Sequence, residues 1–247
     1  RDVPIVGGSS ADDDARGDWR QLANGEAGND LVVAGAMFAS GSLSFAYQSG
    51  YTPTDQTGTV TSAEHRIVRT IDDRPAAEVY NEWTDGLIAE HLAKPGSIFR
   101  KTTLAPVGRP QHVGNGVPHF LLAHPEKVGA DGSLALFAAI EQGERIYLMR
   151  GSTESLIARA GRVARATLEE SEAQNGEPVG ALVVYCAGCM LNVRPKMERV
   201  TQSLRTALGE AAYLGMFTFG EQGCFARGAN RHSNLMISVI TFGNAHA

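Results

Sequence analysis

The sequence is short of cysteine. Cys186, Cys189 and Cys224 are too few for a disulfide scaffold in a chain of 247 residues, and an odd count points to a reducing, cytoplasmic compartment. It is also short of long apolar runs. None approaches the roughly 20 residues of a membrane helix. The longest, Leu31 to Ala39, contains Gly35 and reads as a buried strand. Lys and Arg nowhere form a run and the net charge is −5, which argues against the basic face of a nucleic-acid binder. The chain opens on Arg1-Asp2 and not on Met, so a fragment or processed chain is expected. What remains is an ordinary globular composition. Hydrophobic residues reach 43% and charged residues 20%, which excludes wholesale disorder.

The first third reads as β-structure, with Ser42–Gln48 and Thr57–Ile71 as strand-like runs. Asp73 and Pro75 are placed to start a helix, by capping and by fixed φ respectively. Its apolar stripe runs Ala76, Val79, Tyr80, Trp83, Leu87, Ile88 and His91. Residues 96–116 read as a long loop. Strands are expected at Pro118–Ala123, Ser133–Ala139 and Arg145–Arg150. A second helix follows Gly151, with a stripe of Leu156, Ile157, Ala160, Val163, Ala164, Thr167 and Leu168. Ala181–Cys186 is a continuous apolar run, typical of a strand buried on both faces. A third helix begins at Pro195, and Tyr213–Phe219 and Leu235–Phe242 are the last strands. The fold class is mixed α/β (α+β) and strand-rich: two lobes of mixed sheets joined near residue 74 and covered by about three helices.

Dinucleotide, Walker A, zincin and nucleophile-elbow fingerprints are absent. Gly7-Gly8-Ser9-Ser10 reads as a tight turn, with anion cradling as the alternative. Asp12-Asp13-Asp14 reads as a solvated acidic turn, with divalent-cation binding as the alternative. Cys186-Ala187-Gly188-Cys189 has the spacing of a redox pair or of half a zinc site, which Cys224 and His232 would complete. The plainer reading of Cys186 is a small apolar core residue. His112, His119 and His124 cluster in sequence without the spacing of a standard metal site. The stretch Gly228 to Asn234, near Glu221, either caps turns or binds a small polar ligand through Asn230, His232 and Asn234.

Taken in order, these segments resemble the FIST family. Gly180 to Gly188 ends on Cys186-Ala187-Gly188. A helix follows, then Leu214 to Glu221, then Asn230-Arg231-His232-Ser233-Asn234. This pattern is similar to the FIST C-terminal domain. Asp72 to Tyr80 resembles the junction between the family's two parts. The resemblance implies that 1–73 is the latter part of a FIST N-terminal domain, whose beginning is missing, and that 74–247 is a FIST C-terminal domain. Cys189 stands where the family often carries a basic residue. The family implies an intracellular sensory module for small ligands, amino acids or similar metabolites, signalling through a histidine kinase or cyclase in trans. The expected ligand-binding residues are Cys186, Gly188, Gly220, Glu221, Asn230, His232 and Asn234. Glu221 is expected to take a ligand ammonium group, and His232 and Asn234 a carboxylate or other polar group. No catalytic residue, cofactor, nucleic acid or membrane is expected. Two alternatives stand beside this reading. One is a haem-binding nitric oxide sensor with His232 as axial ligand. The other is an enzyme with Cys186 or Cys189 as nucleophile and His232 as base.

Overall fold

A computed structural model describes residues 3–12, 17–112, 118–172, 177–225 and 229–245. The architecture is mixed α+β and strand-rich, as the patterning predicts. Four strands form one sheet in the order Ala212–Thr218, Pro178–Cys186, Ile237–Ala245, Gly41–Gln48. Only the first pair is parallel, in register from Gly180↔Ala212 to Cys186↔Thr218. A parallel pair needs a crossover connection. Here it consists of the helices Ala187–Val193 and Met197–Leu208, joined by a short 3₁₀ turn. The long helix Thr153–Glu172 packs on Met197–Leu208 and over the sheet. Leu156, Ile157, Ala160, Val163 and Ala164 are buried there. Burying one such Leu or Ile contributes about 1.5–3 kcal/mol. Gly161 lets the two helices approach closely, since a Cβ on it would lie 2.4 Å from Ser203 Oγ.

The opposite face of this sheet is crossed by a hairpin, Glu221–Phe225 with Ala229–Ser233. Gly7–Gly8 adds a third, antiparallel strand to that hairpin. The expected turn at Gly7 to Ser10 is therefore a packed strand beside the hairpin, and Ser9 N–H donates to the Gly220 carbonyl at 2.9 Å. Asp12 closes a local turn through Oδ2, which accepts from the N–H groups of Gly17 (2.7 Å) and Asp18 (3.0 Å); Asp13 and Asp14 lie outside the described residues. Ala212–Thr218 is the edge strand of its sheet and exposes Leu214, Met216 and Phe217.

A second, antiparallel sheet runs Pro118–Ala123, Val107–His112, Arg145–Arg150, Thr52–Glu64, Ile67–Ile71, Leu134–Leu136, Pro125–Val128, Gly96–Ser97. It wraps its own apolar core, which includes Val60, Ile71, Ala76, Tyr80, Trp83, Ile98, Leu134, Ile146 and Leu148. Ile71 and Ala76 both lie in this core, on either side of the exposed turn at residues 72–74. The other core covers both faces of the four-stranded sheet, against the helices on one and the hairpin on the other.

Several local expectations are corrected. Leu31 to Ala39 is not a buried strand: no pairing is made there among the described residues, and Val32 is 96% and Phe38 94% exposed. An apolar run becomes a strand only where a neighbouring edge accepts its ladder. The helix expected through His91 breaks into Ala76–Trp83 and Ala89–Ala93, because Asp85 and Gly86 take positive φ between them. Asp73 does not cap it. Asp72 and Asp73 form a left-handed turn, and Asp72 Oδ1 accepts the Thr59 N–H at 2.9 Å. Residues 96–116 are not all loop, since they contain the helix Phe99–Thr102 and the strand Val107–His112. Gly114 and Gly116 lie outside the described residues.

Candidate functional site

The end of the strand Pro178–Cys186 meets the start of Ala187–Val193, the Gly220 turn and the C-terminal half of the hairpin. Cys186 is the last strand residue and the residue before the helix, with φ −60° and ψ 126°. Gly188 leaves room between elements: a Cβ on it would lie 3.6 Å from both Cys186 Sγ and Leu235 Cδ2 and 4.0 Å from His124 Cε1. Gly220 takes φ +90°, and a Cβ there would fall 2.6 Å from His232 Nε2. Glycine is required at that turn by both conformation and space.

Glu221 is fully buried. Its Oε1 accepts from Thr218 Oγ1 and its Oε2 from the Met236 N–H, both at 2.9 Å. Burial pushes its carboxyl up to about 8, the Met236 bond opposes this, and the nearby Cys189 sulfur adds to the rise. Burial thus favours its neutral form. Tyr47 donates to the Glu221 carbonyl at 2.9 Å and fixes the strand that carries it.

Asn234 is buried, with Oδ1 accepting from the His124 N–H at 3.2 Å. His232 is exposed on the neighbouring register position, opposite Gln222. Desolvation of its ring and the charges of Arg66 and Arg109 lower its pKa. The site therefore runs from exposed His232 past Gly220 to buried Glu221. Asn230 is not part of it. Its Oδ1 accepts the Ile5 N–H and its Nδ2 donates to the Val3 carbonyl, each at 2.8 Å and exposed.

Beside Glu221 lies a group that the sequence reading left out. Arg159, on the long helix, is 1% exposed. Its Nη1 donates to the Leu235 carbonyl at 2.6 Å and to the Ser49 carbonyl. Its guanidinium carbon sits 4.8 Å above the Tyr185 ring, and Nε and Nη2 have no oxygen or nitrogen partner among the described residues. Burial works against its charge, while the Cys189 sulfur and the Tyr185 and Tyr51 phenols favour it. Arg159 falls three residues after Leu156 and four before Val163, on the apolar stripe itself. A charge on a buried stripe was the sequence signal for it.

Cys186 and Cys189 stand one helical turn apart, and both are buried. Burial would raise the Cys189 thiol, but Cys186, Arg159 and Tyr51 together bring it down to about 6. Cys186 moves the other way, raised chiefly by its bond to Cys189 and then by burial. The Tyr51 hydroxyl donates to the Thr103 carbonyl at 2.8 Å and lies 3.6 Å from Cys189 Sγ, a pair in which either atom can donate. The groups that lower the Cys189 thiol are Cys186, Arg159 and Tyr51, with no imidazole among them. Where the FIST resemblance leads one to expect a basic residue at 189, the chain has a cysteine with a buried guanidinium beside it.

Three of the histidines have contacts within the protein. His232 Nε2 is turned onto Gly220. His124 is buried with its pKa lowered to about 4 by desolvation, and its Nε2 lies 2.9 Å from the Phe99 carbonyl. His119 stacks on Phe225 with centroids 5.1 Å apart, and the side chain of His112 lies outside the described residues. Among the described residues, no group of three or more His, Cys, Asp or Glu side chains is placed to hold a metal. No described helix is long and apolar enough to cross a membrane.

The chain belongs to the FIST family. The FIST N domain matches residues 1–74 and the FIST C domain residues 76–224. FIST domains are small-ligand sensory domains. The chain is also 33% identical over 99 residues to an uncharacterized protein of Methanocaldococcus jannaschii, a match covering 40% of this chain and 19% of that protein.

Proposed function

We propose that the chain senses a small amine-bearing metabolite, an amino acid or a close relative, at the His232–Gly220–Glu221 site, and catalyses nothing there. The observation that carries this reading is Glu221, a fully buried carboxyl whose oxygens, among the described residues, accept from Thr218 and Met236. A carboxyl poised near neutrality in a buried site marks a functional position. A ligand ammonium group would draw it into the ionised form. His232 and Asn234 would then meet the ligand's carboxylate, and Cys186 and Gly188 would form the floor. The signal passes to a separate histidine kinase or cyclase in the cytoplasm, the class of partner that the family resemblance implies.

A thermal-shift screen of amino acids and amines tests it. Binding to the native state alone stabilises by about 2.7 kcal/mol at a ligand concentration one hundred times Kd. The expected result is a concentration-dependent rise in Tm that Glu221→Gln and His232→Ala each weaken. A ligand whose effect survives both substitutions would move the site elsewhere.

A further inference from the structure

We infer that Cys186 and Cys189 are a peroxide-oxidised thiol pair that closes a disulfide across the first turn of the Ala187–Val193 helix. This goes beyond ligand sensing and does not depend on it.

The geometry is that of a bridgeable pair. Residues three apart across a helix start have Cα atoms roughly 5 Å apart. Disulfides need Cα separations of about 4.4–6.8 Å. Cys186 is the residue just before the helix, Cys189 lies in its first turn, and both side chains are buried. The Arg159 guanidinium beside them favours the thiolate, which is the reactive form. Tyr51 supplies a hydroxyl 3.6 Å from Cys189 Sγ. The burial of Cys186 at 5% and Cys189 at 0% selects the oxidant. A disulfide such as oxidised glutathione is too large to reach either sulfur, whereas hydrogen peroxide is close to water in size.

The chemistry balances in two steps. The Cys189 thiolate attacks one peroxide oxygen and the O–O bond breaks. The departing hydroxide takes up a proton and leaves as water, with Cys189 as the sulfenic acid. Cys186 then attacks the Cys189 sulfur, the S–O bond breaks, and the hydroxide leaves as a second water with the Cys186 proton. Two thiols lose two electrons, and one peroxide is reduced to two waters. The bridge removes the anionic sulfur from beside Arg159 and Glu221, so oxidation changes the electrostatics of the neighbouring site. Cys224 is an internal reference. It is buried in the Glu221–Phe225 strand, and its thiol donates to the Phe225 carbonyl at 3.4 Å.

The test treats the reduced full chain with hydrogen peroxide, then unfolds it in an alkylating agent and maps peptides by mass. The expected result is alkylation at Cys224 alone and a disulfide within the peptide carrying Cys186 and Cys189. Three alkylated cysteines, or sulfinic acid without a bridge, would overturn the proposal. The native chain should form the bridge at least about tenfold faster than the urea-unfolded chain, a factor that equals about 1.4 kcal/mol in barrier height. Equal rates would show that the fold contributes nothing, and this comparison needs no variant. Arg159→Lys should retain most of the native rate and Arg159→Met should lose it. Oxidised glutathione should leave all three thiols free, and rapid bridging by it would contradict the burial argument.

Discussion

Gly223 lies flat against the ring of Tyr47, so close that a Cβ on it would fall 2.3 Å from Tyr47 Cγ and Cδ2. This contact seats the hairpin on the four-stranded sheet and brings Glu221 under the Tyr47 hydroxyl. Replacing Gly223 by Ala should overpack the junction and destabilise the protein by about 1–3 kcal/mol. Gly35→Ala is the matched control, since nothing lies within 4 Å of a Cβ there and φ is not positive. Urea unfolding should show a lower midpoint at unchanged m for the first variant and no change for the second.

Glu221 should make stability fall as pH rises. Its carboxyl titrates near 4.5 when unfolded and near 8 when folded, so the native state holds the extra proton between those values. Its stabilising contribution is complete below pH 4.5 and is lost as pH climbs through 8, at up to about 1.4 kcal/mol per pH unit. In Glu221→Gln that slope should vanish, so the wild type should lose stability relative to the variant from pH 5 to pH 8. Parallel curves for the two proteins would remove the buried neutral acid from the account.

His124 should act in the opposite sense. Its imidazole titrates near 6.5 unfolded and about 4 folded. Stability from the neutral ring is therefore complete above pH 6.5 and is lost as pH falls through 4. The short contact with the Phe99 carbonyl requires a donor at Nε2, which fixes the proton on that nitrogen. An NMR titration should show the His124 ring resonances unchanged down to pH 5.

Arg159→Met should be among the most damaging single substitutions. It strands the Ser49 and Leu235 carbonyls and leaves Cys189 without its cation. Removing one partner of a buried charge cluster costs about 3–5 kcal/mol. The same variant should raise the Cys189 pKa above its value of about 6, read by the ultraviolet absorbance of the thiolate against pH. A thiol that titrates as before would show that Arg159 is not what lowers it.

The fold class was legible because Ala181–Cys186 is a continuous apolar run of strand length and the stripe at 156–164 has helical spacing. Cys186, Gly220 and Glu221 were named from the family order, and the structure places them near one strand end. Asn230 was not separable from His232 by sequence, since both sit on one hairpin strand and only the docking of Val3 and Ile5 draws Asn230 away. Tyr51 reads as part of a turn cluster, and nothing local reveals that it reaches a thiol 138 residues later. Leu31 to Ala39 failed for the converse reason. Apolarity states what a segment would gain from a partner, and says nothing of whether a partner is in reach.

The edge strand Ala212–Thr218 has a practical consequence. Along its outer side the backbone ladder is unfinished among the described residues, while Leu214, Met216 and Phe217 face water. Unfinished apolar edges recruit other chains before the domain itself melts. The concentration at which this chain stays in solution should therefore be set by that rim and not by the strength of its two cores. A lysine in place of Leu214 should raise the solubility ceiling while leaving the urea midpoint where it is.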